Sequence, residues 1–169
     1  MTALTKNSLL LVFFITTTYL IGNEMKKWMA SKEVIAFEFI QTEENATKLI
    51  SSTDWQTPDT NGDTKIERLK VNTYFDFLYI INYVGLFVFL ARVLLGSSSQ
   101  TIKVVTRILL VAGAADVAEN LCLLHILDGG RGIFPATMYL FASIKFSLLL
   151  LYVGWLLFSA GKSIAKKIA

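Results

Sequence analysis

The chain has 169 residues, 54% of them hydrophobic and only 17% charged, with a net charge of +3. Soluble domains sit near about 45–50% apolar and about 25% charged, so this balance, with a mean hydropathy of +0.54, excludes an ordinary soluble domain. The basic residues flank apolar blocks instead of forming one patch, which excludes nucleic acid as a partner, and the single cysteine, Cys122, excludes an internal disulfide, a thiol–disulfide enzyme and a cysteine-rich metal site.

The first apolar block covers 8–22 behind Lys6. It is short for a span of roughly 20 residues, and a basic start before a short apolar core also describes a signal peptide. No small-x-small cleavage site follows; the chain continues Asn23-Glu24-Met25-Lys26-Lys27-Trp28. The expectation is a retained span over 4–22, with Lys6 reaching back to the headgroups.

Residues 24–73 are polar and hold nine of the 13 acidic residues. Apolar positions from Trp28 through Val34, Ile35, Phe37, Phe39 and Ile40 predict one or two short helices lying on the membrane or capping the bundle. Pro58 and Asn61-Gly62 signal a turn. Asp59, Asn61 and Asp63 resemble the start of a calcium loop, but Thr64 stands at the invariant glycine and Lys70 at the bidentate glutamate, so a capped turn is the expected reading. Asn45-Ala46-Thr47 is a glycosylation sequon, relevant only in a eukaryotic source. Thr64-Lys65-Ile66-Glu67 fits a capping box that starts a helix running into the next span.

Three further spans are predicted over 74–95, 104–127 and 136–159. The second ends at Gly96-Ser97-Ser98-Ser99 and the third at Asp128-Gly129-Gly130; the fourth opens at Pro135, a favoured first helical position. The fold expectation is all-α: a single membrane domain built as a four-transmembrane-helix bundle, with 24–73 as a small extracytoplasmic helical and loop cap. Lys6, the trio Arg92, Lys103 and Arg107, and the lysines Lys162, Lys166 and Lys167 fall on one side of a four-span path. That side is therefore expected to be cytoplasmic, in a plasma or inner membrane, with both termini inside. Lys26 and Lys27 argue the other way.

Polar residues inside the spans are the candidates for chemistry. Asp116, Glu119 and Asn120 share a helix face through spacings of three and four. At 1.5 Å per residue, Glu119, Lys145 and Asn82 all lie about 12–13 Å into their spans, and Asp116 about 16 Å. An isolated charge there costs about 2.5–3.5 kcal/mol on insertion scales, so Lys145 is expected to pair with Glu119 or Asp116. The surplus acid is then left to hold a proton, bind a cation, or hydrogen-bond to an asparagine or tyrosine. Depth matching makes Glu119 the expected partner of Lys145. Tyr83 and Tyr152 are further candidate lining residues, and Asp76 and His125 are expected to meet at the outer mouth. The competing reading is that the polar layer only holds the helices in register. Ala112, Gly113, Ala114, Ala115 and Ala118 let helices approach closely and make the third span the central one. One histidine, and no nucleophile-elbow, zincin or Walker sequence, gives no metal site and no cofactor.

The octapeptide Ala114-Ala115-Asp116-Val117-Ala118-Glu119-Asn120-Leu121 resembles an Asp-x-x-Glu-Asn signature of small uncharacterised bacterial membrane proteins. These share the layout of one span, a long outer segment and three spans. The resemblance implies the fold and no activity. The leading functional expectation is a non-enzymatic protein that binds a lipid, a small amphiphile or a partner helix at the polar layer, with membrane lipids, a second copy or a membrane protein as partners. The alternatives are a lipid-modifying enzyme with Asp116 and Glu119 as acid and base, and a small ion- or proton-coupled carrier.

Overall fold

A computed structural model of the protein describes residues 3–95 and 100–168. All its regular elements are helices: α1 (Ala3–Trp28), α2 (Ser31–Glu38), α3 (Glu43–Ile50), α4 (Thr53–Gln56), α5 (Lys65–Leu95), α6 (Gln100–Leu127) and α7 (Phe134–Ile168). Four of them, α1, α5, α6 and α7, are long and apolar enough to cross a membrane. With their backbone polar groups bonded within each helix, they meet the requirement the bilayer core imposes. The protein is an all-α bundle of the integral membrane type.

The helix ends follow local chemistry. The Thr64 and Glu67 side chains exchange bonds with each other's backbone N–H at 3.2 and 2.8 Å, the reciprocal capping box that starts α5. At the end of α6 the Gly130 N–H bonds the His125 carbonyl and the Gly129 N–H that of Ile126, with Gly129 at φ +89°. This is a Schellman stop, and the left-handed backbone it needs is cheap only for glycine. α1 continues past the expected end at Gly22 to Trp28, and α7 continues past Ser159. The connection 96–99 and the side chains of Lys6, Lys162, Lys166 and Lys167 lie outside the described residues.

The predicted central helix is central. α6 packs between α5 and α7, while α1 packs chiefly on α5. Ala112, Gly113, Ala115 and, on α7, Ala142 are buried at these seams. A Cβ on Gly113 would stand 2.9 Å from Val84 Cγ2, so α5 approaches α6 too closely for any larger residue without a shift.

Two short helices, α2 and α3, form within the Trp28–Ile50 stretch as expected, a third single turn, α4, forms in the following stretch up to Gly62, read as loop, and all three sit on one end of the bundle. Phe37, Ala46 and Trp55 of the cap join Leu69, Cys122, Leu123, Ile126 and Met138 of the long helices in a single apolar cluster. The turn before α5 is capped as expected. Asp59 Oδ1 accepts the Asn61 and Asp63 N–H groups, and Oδ2 accepts from Arg68 at 3.0 Å. The Asn61 amide first, and then the others, hold this carboxyl below its ordinary range.

Candidate functional site

The cluster is assembled by packing around α6. Its face of Asp116, Glu119 and Asn120 is buried, and Lys145 of α7 lies against it. Lys145 Nζ donates to Asp116 Oδ1 at 3.0 Å and lies 2.8 Å from Glu119 Oε2. It therefore meets both acids, where depth counting singled out one. Asp116 also accepts the Tyr83 hydroxyl at 2.8 Å on its other oxygen. Glu119 is 0% exposed. Its contact with Lys145 is an ion pair outside hydrogen-bond angles, and neither of its oxygens has a hydrogen-bond partner. Asp116, not Glu119, is thus the better-satisfied carboxylate. The reason is the Tyr83 donor, which depth along α6 does not reveal.

A third acid enters from the cap. Glu38, the last residue of α2, is 7% exposed, its Oε2 3.8 Å from Lys145 Nζ. Its neighbours explain how an acid reaches this depth. Phe37 is completely buried in the cap cluster, while Phe39 packs on Tyr139 and Phe146 of α7, with ring centroids 5.8 Å apart in both cases. The two phenylalanines clamp α2 against α7 and leave Glu38 pointing at the lysine. Burial pushes the Glu38 carboxyl above its ordinary range, Lys145 pulls it back less strongly, and Asp116 adds to the rise. The sequence carried one signal for this residue: a charge set inside the apolar run Phe37-Glu38-Phe39-Ile40.

Other candidates fall elsewhere. Asp76 accepts Asn120 Nδ2 at 2.8 Å, so it borders the cluster through Asn120. Its expected meeting with His125 does not occur: the imidazole is exposed and packs on Phe134, with centroids 4.0 Å apart. Nine residues separate His125 from Asp116, which turns it to the opposite face of α6. Asn82 matches the cluster in depth but faces α1, donating to Thr18 Oγ1 and to the Phe14 carbonyl and accepting from Thr17. Tyr152 shares the Lys145 face two turns further on and donates to the Phe87 carbonyl at 2.7 Å. Neither residue belongs to the cluster; both pin neighbouring helices.

A cleft of about 250 Å³ opens at the cap end between α1, α2 and α5 and reaches Glu38, Asp76, Asn120 and Lys145. Met25, Met29, Val34, Ile35 and Leu123 supply its apolar walls. Asp116 and Glu119 stand behind this surface. Among the described residues no group of three or more histidine, cysteine, aspartate or glutamate side chains is arranged to hold a metal ion.

An α-helical membrane bundle with a buried ionic cluster at the foot of a half-apolar cleft is the class of protein these features define. Comparison with protein-family models, curated proteins and solved structures finds no match to this chain.

Proposed function

We propose that this integral membrane protein binds a small amphiphile in the cap-end cleft, with the cap on the extracytoplasmic side and both termini in the cytoplasm. One observation carries the reading: the cleft has apolar walls and ends on charged, buried side chains. Small-molecule sites combine an apolar lining with a few fixed polar groups in this way. A purely structural polar layer would be sealed, as the Asn82 and Tyr152 contacts are. At about 250 Å³ the cleft is smaller than the roughly 300–1,000 Å³ of sites that swallow a whole drug-sized ligand. It suits a headgroup and the first part of a chain whose remainder stays in the bilayer. The enzymatic alternative, with Asp116 and Glu119 as acid and base, is less well supported because neither lines the cleft.

The test is thermal unfolding of the purified protein against single-chain amphiphiles of several headgroup types, with a variant that fills the cleft. Gly22 lines the cleft, and a Cβ there would meet only Tyr79 Cε2, at an ordinary 3.9 Å. Gly22→Leu should therefore fold and block binding. At least one amphiphile is expected to raise the melting temperature of the parent protein and not that of the variant. No effect in either, or an equal effect in both, would overturn the reading.

A further inference from the structure

We propose that the polar end of the ligand is a cation, an alkylammonium group held between Glu38 and Asp76. This rests on the amphiphile-binding reading above and adds the ligand's charge. Several polar groups of the cleft are turned inward: Asn72 Nδ2 donates to the Met25 carbonyl at 2.9 Å, the Thr73 hydroxyl to the Leu69 carbonyl at 2.8 Å and Asn120 Nδ2 to Asp76 Oδ2 at 2.8 Å, while the Ser31 and Tyr79 hydroxyls and the Lys26 ammonium line the walls. Lys145 donates to Asp116 and is ion-paired with Glu119 and Glu38. Acceptors remain. Glu38 Oε2 is buried without a hydrogen-bond partner, and the Asn120 amide engages only one oxygen of Asp76.

Charge points the same way. Glu38, Asp116, Glu119 and Asp76 face a single lysine inside the site. A further cation, Lys26, lines the cleft from the last turn of α1. A carboxylate or phosphate entering the cleft would meet the Glu38 and Asp76 carboxyl groups at its inner end. The Tyr79 hydroxyl on the wall accepts as well as donates and so does not reverse this. An ammonium supplies three donors and one positive charge, the complement of two carboxylates with open lone pairs, while the attached chain lies along Met29, Val34 and Leu123.

Two sources share this chemistry: a free amphiphilic amine, and the amino headgroup of a phospholipid whose phosphate would lie toward Lys26. The experiment titrates the detergent-solubilised protein at neutral pH with dodecylammonium, dodecanol and dodecyl sulfate, reading unfolding temperature and native mass spectra. Dodecylammonium is expected to bind at least about tenfold tighter than dodecanol, since a charge-assisted hydrogen bond contributes about 1.5–3 kcal/mol and a tenfold step is about 1.4. Glu38→Gln and Asp76→Asn should each weaken the amine about tenfold and leave dodecanol unchanged. Asp76→Asn lies on α5, so it keeps the test valid if Glu38→Gln loosens the cap. Dodecanol or dodecyl sulfate binding as tightly as the amine would overturn the cationic assignment while leaving the cleft reading in place; no binding of any probe would overturn both. Nanodiscs with and without phosphatidylethanolamine separate the sources. Retention of that lipid through purification, with displacement by dodecylammonium, assigns the headgroup; amine binding without lipid retention assigns the free amine; retention that both carboxamide variants preserve would overturn the proposal.

Discussion

Lys145 is the residue on which the buried site depends, because it faces three carboxyl groups. Lys145→Met keeps the length of the side chain and strands all three. Removing one partner of a buried pair costs about 3–5 kcal/mol, and a loss of that size is expected in detergent unfolding, partly restored by adding Glu119→Gln. Asp116 and Glu119 should differ in the reverse order from depth counting. Asp116→Asn disturbs bonds from both Tyr83 and Lys145 and is expected to cost about 1–3 kcal/mol. Glu119→Gln loses one ion contact of an otherwise unbonded group and should cost less. A larger loss in Glu119→Gln would restore the depth-based ranking. The sequence made this core legible because the cost of a charge in hydrocarbon forces matched depths and shared faces. Depth is one coordinate, however. Asn82 has the right depth and the wrong azimuth, and Glu38 comes from a segment with no membrane depth to count.

At the level of elements, α1 and α2 are attached by different chemistry. α1 meets α5 through Asn82 with Thr17, Thr18 and the Phe14 carbonyl, and through Gly85, where a Cβ would lie 2.8 Å from Phe14 Cε1. Asn82→Leu removes the polar link while preserving bulk. Side-chain hydrogen bonds between membrane helices average about 0.6 kcal/mol, so a loss of roughly 1–2 kcal/mol is expected, with the Lys145 cluster unaffected. Cross-linking of α1 to α5 should fall in that variant; unchanged yield would argue that packing alone holds α1. The attachment of α2 should instead depend on pH. The Glu38 carboxyl is raised in the folded state by burial, so its contribution is full below the unfolded value and is lost as pH rises through the folded one. The parent protein should lose stability as pH rises above the ordinary carboxylate range, and Glu38→Gln should lose less. Parallel curves would remove Glu38 from the explanation. The long helices and the start of α5 were legible from apolar run length and a four-residue cap. The third cap helix was not, since Thr53–Gln56 is a single turn held by Trp55 in the tertiary cluster.

For the whole molecule, orientation is the expectation most directly open to measurement. Single-cysteine labelling in intact cells, after replacing Cys122, should reach Ser51 and not Ser98; external labelling of Ser98 would invert the topology. The arrangement also has a consequence in time. Ribosomes deliver Glu38 first, then Asp116 and Glu119, and Lys145 only with the last long helix. Until α7 inserts, the nascent protein holds its acids without their counterion, at about 2.5–3.5 kcal/mol for each charge inside the bilayer. The surface that Phe37 and Phe39 grip is also incomplete, because Met138, Tyr139 and Phe146 have yet to arrive. Cap docking therefore waits for α7. A chain stopped before α7 would leave both its acids and its apolar cap residues without their α7 contacts.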